Sequence, residues 1–212
     1  MALSANNEML ATCAFDHRVI VWRMKSGTII SILEGNNHPH IHTVAFSPTY
    51  DRDSICVAST GFDGSVRFWR LEKHVKEPTL TTCDEELKFV YAAHFDERKV
   101  VVNNTIRDDN EVCCSCFSPG GLFFAAGDEC GRVLVYHVPQ HLSRDAIRLV
   151  NKLNGHSMRV SSLQFSNAGD RLLSGSSDGR AIIWRFSSNE LDVVVLNCER
   201  HVVTEAQVLF YF

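Results

Sequence analysis

Three aspartate–tryptophan pairs with one spacing constrain the fold of this chain more than any other feature. In each pair the aspartate precedes the tryptophan by six positions, and a hydroxyl residue lies four positions before the aspartate. The three sets are Thr12, Asp16 and Trp22; Ser59, Asp63 and Trp69; and Ser174, Asp178 and Trp184. Trp22 and Trp69 are 47 residues apart, and Tyr136 precedes Trp184 by 48 residues. A period of this length predicts an architecture of repeated supersecondary units.

Each repeat has the pattern of several short strands. In residues 171–184, two runs of alternating apolar residues flank Asp178-Gly179, and an Asp-Gly pair in this setting is the strongest short-range signal for a β-hairpin. No stretch predicts a convincing helix, although residues 140–150 could form one or two helical turns or an extended connection. Repeats of roughly 45 residues with about four strands each are typical of β-propeller blades.

Residues 154–186 resemble a complete WD-repeat blade. They contain Gly155-His156, the hydroxyl residue, the aspartate of the turn and the tryptophan at the strand end. The resemblance implies a buried network of hydrogen bonds among these side chains, in which each polar group satisfies another. By the same resemblance the other two sets belong to such networks, so the full prediction is Thr12, Asp16, Trp22, Ser59, Asp63, Trp69, His156, Ser174, Asp178 and Trp184.

The repeat that ends at Tyr136 departs from this pattern. Tyr136 replaces the tryptophan, Cys130 the aspartate and Ala126 the hydroxyl residue, while Asp108 stands where the histidine would be. We therefore expect this blade to depend on apolar packing, and we interpret Asp128 and Glu129 as an acidic turn. In the blade before it, the position of the histidine falls on Asn37, with His38 next to it.

The predicted fold is all-β, a partial WD-repeat β-propeller of about four four-stranded blades in an incomplete ring. Its predicted segments are a partial blade at 1–33, a blade at 36–83, an insertion at 84–111, a degenerate blade at 112–150, a blade at 154–196 and a divergent tail at 197–212. An unclosed ring leaves strand edges and blade faces exposed. We therefore expect the chain to be part of a longer protein.

Residues 112–138 and 156–186 have a closer resemblance, to the WD-repeat region of the bromodomain and WD-repeat-containing proteins. This resemblance implies a nuclear, chromatin-associated protein that regulates transcription, with further roles in cell shape and the cytoskeleton. The chain contains no bromodomain. The predicted function is a non-enzymatic scaffold whose partners are other proteins, with chromatin or ubiquitin-ligase components as candidates.

Three alternative functions stay open at this point. One is a substrate receptor of a cullin-RING ubiquitin ligase, which usually has an aspartate directly after the blade tryptophan. Here Arg23, Arg70 and Arg185 occupy that position. The second alternative is a cytoplasmic WD-repeat scaffold, and the third is a metal-binding or hydrolytic protein.

Three groups of residues suggest chemistry and are weighed against a structural role. His156, Ser174 and Asp178 have the residue types of a catalytic triad, but the serine and aspartate recur in several repeats, which favours a structural network. His38, His40 and His42 alternate as zinc or copper ligands can, and we favour histidines of a loop and an inner strand. Cys113, Cys114 and Cys116 lack the Cys-x-x-Cys spacing and lie in an apolar run. We predict no catalytic residue, no metal and no cofactor.

The composition of the chain limits the cellular compartment that we expect for it and the kinds of partner that it can bind. A formal net charge of −4 and a pI near 6.2 argue against a general attraction to nucleic acid or to an anionic membrane. The first residues lack the features of a signal peptide, and no apolar run reaches the length of a membrane span. Six of the eight cysteines lie in or beside apolar strand-like runs and are expected to be reduced, mostly core thiols of an intracellular, non-secreted protein, and the resemblance implies the nucleus.

Overall fold

The computed structural model describes residues 1–16, 18–33, 40–48, 54–73, 89–91, 110–139, 147–186 and 191–197. These residues form four four-stranded antiparallel sheets, which we call blades one to four. Blade one comprises β1 (Ala2–Leu3), β2 (Met9–Cys13), β3 (Val19–Arg23) and β4 (Thr28–Leu33). Blade two comprises β5 (Ile41–Phe46), β6 (Ser54–Gly61), β7 (Val66–Lys73) and β8 (Phe89–Tyr91). Blade three comprises β9 (Val112–Phe117), β10 (Phe123–Asp128), β11 (Arg132–His137) and β12 (Arg148–Asn154). Blade four comprises β13 (Val160–Phe165), β14 (Arg171–Ser176), β15 (Arg180–Phe186) and β16 (Leu191–Asn197).

Each blade is a meander in which every strand pairs with the next strand along the chain. The turn between the second and third strands requires glycine in three blades for a visible reason. Gly64, Gly131 and Gly179 have φ angles of 71°, 84° and 77°, a left-handed conformation that side chains disfavour. A Cβ at Gly131 would also lie 2.6 Å from the carbonyl oxygen of His156, so this turn packs tightly on the next blade.

The apolar core lies between successive blades. One cluster joins blades one and two, a second joins blades two and three, and a third joins blades three and four. In each cluster the later blade contributes the face that carries its aromatic residue at the end of the third strand, namely Trp69, Tyr136 or Trp184. The earlier blade contributes its opposite face. The first strands β5, β9 and β13 also contact each other in turn.

The predicted all-β fold with four four-stranded units is confirmed. Phe89–Tyr91 pairs with β7 as the fourth strand of blade two, although the sequence placed it in an insertion at 84–111. Residues 84–88 and 92–109 of that segment lie outside the described residues, as do 140–146 and 198–212. No helix in the described part of the chain is long and apolar enough to cross a membrane.

Candidate functional site: a buried network beneath a turn surface

Four side chains of blade four form one continuous chain of hydrogen bonds. Trp184 Nε1–H donates to Ser174 Oγ at 2.9 Å, and Ser174 Oγ lies 2.8 Å from His156 Nε2. On the other side of the ring, His156 Nδ1 lies 3.1 Å from Asp178 Oδ2. An indole only donates and a carboxylate only accepts, so Trp184 donates to Ser174 and the Nδ1–H of His156 donates to Asp178. In a neutral ring Nε2 is then an acceptor, and Ser174 donates to it from its hydroxyl.

The protonation of the pair follows from its surroundings. Burial lowers the pKa of His156 despite the nearby carboxylate, so the imidazole is neutral at pH 7. Burial alone would raise the pKa of Asp178, but two backbone N–H donors, from Ser157 and Arg180, outweigh it and hold this pKa below its ordinary value. The network therefore contains a neutral histidine and an ionised aspartate, which suits the direction of its hydrogen bonds.

The network has the composition of a catalytic triad without its accessibility. Ser174 is fully buried, and its oxygen already accepts the N–H of Trp184. A nucleophile must reach a substrate and have a free path for attack, and this serine has neither. The geometry thus favours the structural role that the sequence suggested for these residues.

Blades one and two contain parts of the same arrangement. Trp22 donates to Thr12 at 2.8 Å, and Trp69 donates to Ser59 at 2.9 Å. Asp16 is exposed and accepts the backbone N–H of Arg18, so the structure does not join it to Thr12 and Trp22.

Asp63 in blade two serves its own turn. It accepts the hydroxyl of Ser65 at 2.7 Å and the guanidinium of Arg67 at 2.6 Å. Burial opposes ionisation of Asp63, but these donors together lower its pKa. The two candidates for the histidine of this blade, Asn37 and His38, lie outside the described residues.

Blade three, which we expect to depend on apolar packing, also contains a buried polar turn. Asp128 is buried, and its carboxylate accepts the backbone N–H groups of Cys130 and Arg132 at 3.0 and 2.8 Å. The guanidinium of Arg132 completes the arrangement at 2.5 Å from the second oxygen. The turn that we interpreted as acidic from the sequence therefore contains a buried ion pair. Its aspartate lies two positions before the place of the usual turn aspartate. Asp108 lies outside the described residues.

Two phenylalanines lie exposed on the turns next to these aspartates. Phe15 precedes Asp16 and is 73% exposed, and Phe62 precedes Asp63 and is 51% exposed. Both rings contact the imidazole of His40 edge-on, with centroids 4.8 and 5.8 Å away. We call this group, Phe15, His40 and Phe62, the Phe15–Phe62 surface. The repeated position of the two phenylalanines before the aspartate is visible in the sequence, but no sequence pattern predicted a surface there.

His42, whose ring centroid lies 6.3 Å from that of Phe62, belongs to a set of polar contacts that joins three blades. His42 of blade two pairs with Glu111, which directly precedes the first strand of blade three. Glu111 also lies 3.9 Å from the guanidinium of Arg159, at the start of blade four. These contacts link the same edge of three successive blades. No sequence pattern indicates these contacts, since the partners are far apart along the chain.

The histidines and cysteines do not assemble a metal site in the described residues. No group of three histidine, cysteine, aspartate or glutamate side chains there could hold a metal ion, and His38 lies outside that part of the chain. Burial raises the pKa of Cys113 and of Cys116 to about 12 and that of Cys114 well above its usual value. These three thiols therefore stay protonated and poorly nucleophilic at pH 7.

Comparison with known proteins finds repeats of one family. The model of the family "WD domain, G-beta repeat" matches residues 27–70, 101–137 and 147–185, which together are more than half of the chain. Apoptotic protease-activating factor 1 of Danio rerio is 24% identical over 89% of this chain. A bromodomain and WD repeat-containing protein of Dictyostelium discoideum is 25% identical over 93%, and the transcriptional corepressor LEUNIG_HOMOLOG of Arabidopsis thaliana 28% over 89%. The matches cover 15%, 11% and 24% of these relatives, so the chain corresponds to a small part of each.

Proposed function

Because the chain belongs to the WD domain, G-beta repeat family, we propose that it is a non-enzymatic platform that binds another protein through the Phe15–Phe62 surface. Proteins of this family are generally scaffolds for protein–protein contacts. The buried network beneath the turns fits that role, because it fixes the hairpins that present the exposed side chains. A rigid platform loses little conformational freedom when it binds.

The exposure of Phe15 and Phe62 carries this proposal. Large aromatic side chains are usually buried, and an exposed group of them on a rigid support is typical of an interaction surface. The edge-on contacts with His40 hold both rings in place. A partner segment with a central apolar side chain would cover these rings. The charges of Glu111 and Arg159 would favour a partner that has residues of opposite charge on either side of that side chain.

We further propose a nuclear role in the regulation of transcription. Two relatives support it by their names, a bromodomain and WD repeat-containing protein and a transcriptional corepressor. Both contain repeats similar to those of this chain over about nine-tenths of its length. Chromatin-associated proteins are therefore the first candidates for the partner.

The test compares partners captured by matched variants. The tagged full chain and a Phe15→Ser/Phe62→Ser variant are incubated with nuclear and cytoplasmic extracts, and bound proteins are quantified by mass spectrometry. We expect chromatin or transcription proteins from the nuclear extract, with at least a tenfold loss of capture by the double variant. Each protein that shows this loss is then purified, and its affinity for both chains is measured by calorimetry.

Phe123→Ser is the matched control, because Phe123 is also an exposed phenylalanine in edge-on contact with a histidine, His137, but lies at the start of β10. It should retain the partners of the wild type. Equal capture by the double variant would contradict the proposed surface. Capture of a cullin-RING adaptor in place of chromatin proteins would contradict the role in transcription and favour the ubiquitin-ligase receptor.

A further inference from the structure

The turns of blades two and three present different side chains at one equivalent position. In blade two the backbone N–H of Phe62 donates to the carbonyl oxygen of His40 at 2.9 Å. In blade three the backbone N–H of Glu129 donates to the carbonyl oxygen of Glu111 at 3.0 Å. Each bond joins the turn to the residue directly before the first strand of its blade. Glu129 therefore has the place in blade three that Phe62 has in blade two, and it too is exposed.

A short series of contacts connects Glu129 with the Phe15–Phe62 surface. The rings of Phe62 and His42 lie 6.3 Å apart, and His42 pairs with the carboxylate of Glu111. Oε1 of Glu129 lies 3.4 Å from the backbone nitrogen of Glu111. An exposed aromatic group and an exposed carboxylate are thus neighbours on successive blades, within the reach of a few residues of one extended segment.

Glu129 differs from the other carboxylates at these turns because no cation lies beside it. The turn aspartates of blades two to four each pair with an arginine of the same blade, namely Asp63, Asp128 and Asp178. Glu111 lies 3.9 Å from the guanidinium of Arg159. Among the described residues, Glu129 accepts the backbone N–H of Glu111 and forms no ion pair. A negative charge is therefore left open to a partner at the border of the aromatic surface.

We propose that the partner of the Phe15–Phe62 surface binds with a basic segment, in which a lysine or arginine pairs with Glu129 and a nearby apolar side chain covers the two phenylalanines. This inference rests on the proposed binding surface and specifies the charge of its partner. A cation compensates the open carboxylate, and the apolar stem of its side chain packs along the adjacent ring of Phe62. An acidic segment would bring like charges together at Glu129 and is disfavoured for that reason.

Peptide selection tests the charge of the partner. The probe is a phage library of random peptides, which is selected against the immobilised full chain and against its variants. We expect the wild type to enrich peptides with lysine or arginine close to an apolar residue. Glu129→Lys should reverse the charge preference and enrich aspartate or glutamate, but it should keep the apolar residue, because the phenylalanines are unchanged. Phe15→Ser/Phe62→Ser should lose the enrichment of the apolar residue.

Affinities of the selected peptides measure the same pair directly. Fluorescence polarisation with a synthetic peptide selected by the wild type should show about two- to fivefold weaker binding to Glu129→Gln, as for an exposed ion pair. The dependence of this binding on salt should also decrease. Glu8→Gln is the matched control, because Glu8 is an exposed glutamate between β1 and β2, at the opposite end of its blade. This variant should bind the peptide as the wild type does.

The outcomes separate this inference from the proposed function. Basic peptides enriched equally by the wild type and Glu129→Lys, or peptides without basic residues, would overturn the role of Glu129 and leave the aromatic surface in place. Peptides that bind Phe15→Ser/Phe62→Ser as well as the wild type would contradict the surface itself. A library that yields no peptide for the wild type would contradict both. Circular dichroism of each variant checks that the sheets are retained.

Discussion

The carboxylate of Asp128 holds the turn of blade three together through Arg132. Oδ2 of Asp128 lies 2.5 Å from Nε of Arg132, and Oδ1 accepts the backbone N–H of the same arginine. Asp128 is buried and the guanidinium is mostly covered, so the two charges compensate each other away from water. This blade lacks the buried network of blade four and closes its turn by an ion pair.

Replacing Asp128 with alanine should therefore destabilise the protein. The change removes the acceptor of three hydrogen bonds and leaves Arg132 without its buried carboxylate. We expect the free energy of unfolding to fall by about 2–3 kcal/mol in urea denaturation. Cys130→Ala is the control, because this thiol is exposed, and it should change stability by less than about 0.5 kcal/mol. Equal effects of the two changes would mean that the pair contributes little.

Asp178→Ala should destabilise blade four by about 1–3 kcal/mol, because it leaves the buried Nδ1–H of His156 without an acceptor. A double-mutant cycle with His156→Ala measures the coupling of the two residues. We expect the two losses to be strongly non-additive, since removing either residue breaks the same hydrogen bond. Additive losses would show that the two side chains stabilise the blade independently.

The sequence predicted the parts of this structure that depend on local pattern. The Trp184–Ser174 and Trp69–Ser59 contacts each join diagonal neighbours on one face of two paired strands, a relationship that the fixed spacing of the two residues allows. Asp16 has the same spacing but stays exposed. Spacing alone does not bury a carboxylate.

The remaining features depend on tertiary geometry. In the sequence of blade three Cys130 replaces the turn aspartate, whereas in the structure the carboxylate of Asp128, two residues earlier, reaches the same turn from the end of its strand. The pair between His42 and Glu111 joins two blades across a long loop. The exposure of Phe15 could not be predicted either, because phenylalanine as a residue type favours burial and only the tertiary geometry leaves this side chain 73% exposed.

Replacing Tyr136 should not destabilise the protein, in contrast to the two changes at Asp128 and Asp178. Its side chain is fully buried at the position of the other blades' tryptophan, and its hydroxyl has no hydrogen-bond partner in the described part of the chain. Burial raises the pKa of this phenol well above its usual value, so it is neutral. Tyr136→Phe removes the buried polar group without a change of shape, and we expect stability to stay the same or to rise by up to about 1 kcal/mol in thermal and urea unfolding. A loss of more than about 1 kcal/mol would reveal an acceptor for the hydroxyl.

The depressed pKa of His156 predicts that the fold weakens as the solution becomes mildly acidic. Burial favours the neutral ring in the folded state, while the unfolded chain binds a proton near the ordinary pKa of 6.5. The contribution of His156 is therefore fully present above that value and is lost as the pH falls from there toward the lower pKa of the folded state. Asp178, whose pKa is also lowered, adds a second loss only below its ordinary value of 3.8. Melting temperatures measured from pH 7.5 to pH 5 should decline more steeply for the wild type than for His156→Gln, which has no proton to bind. Parallel curves for the two proteins would assign the acid sensitivity to other groups.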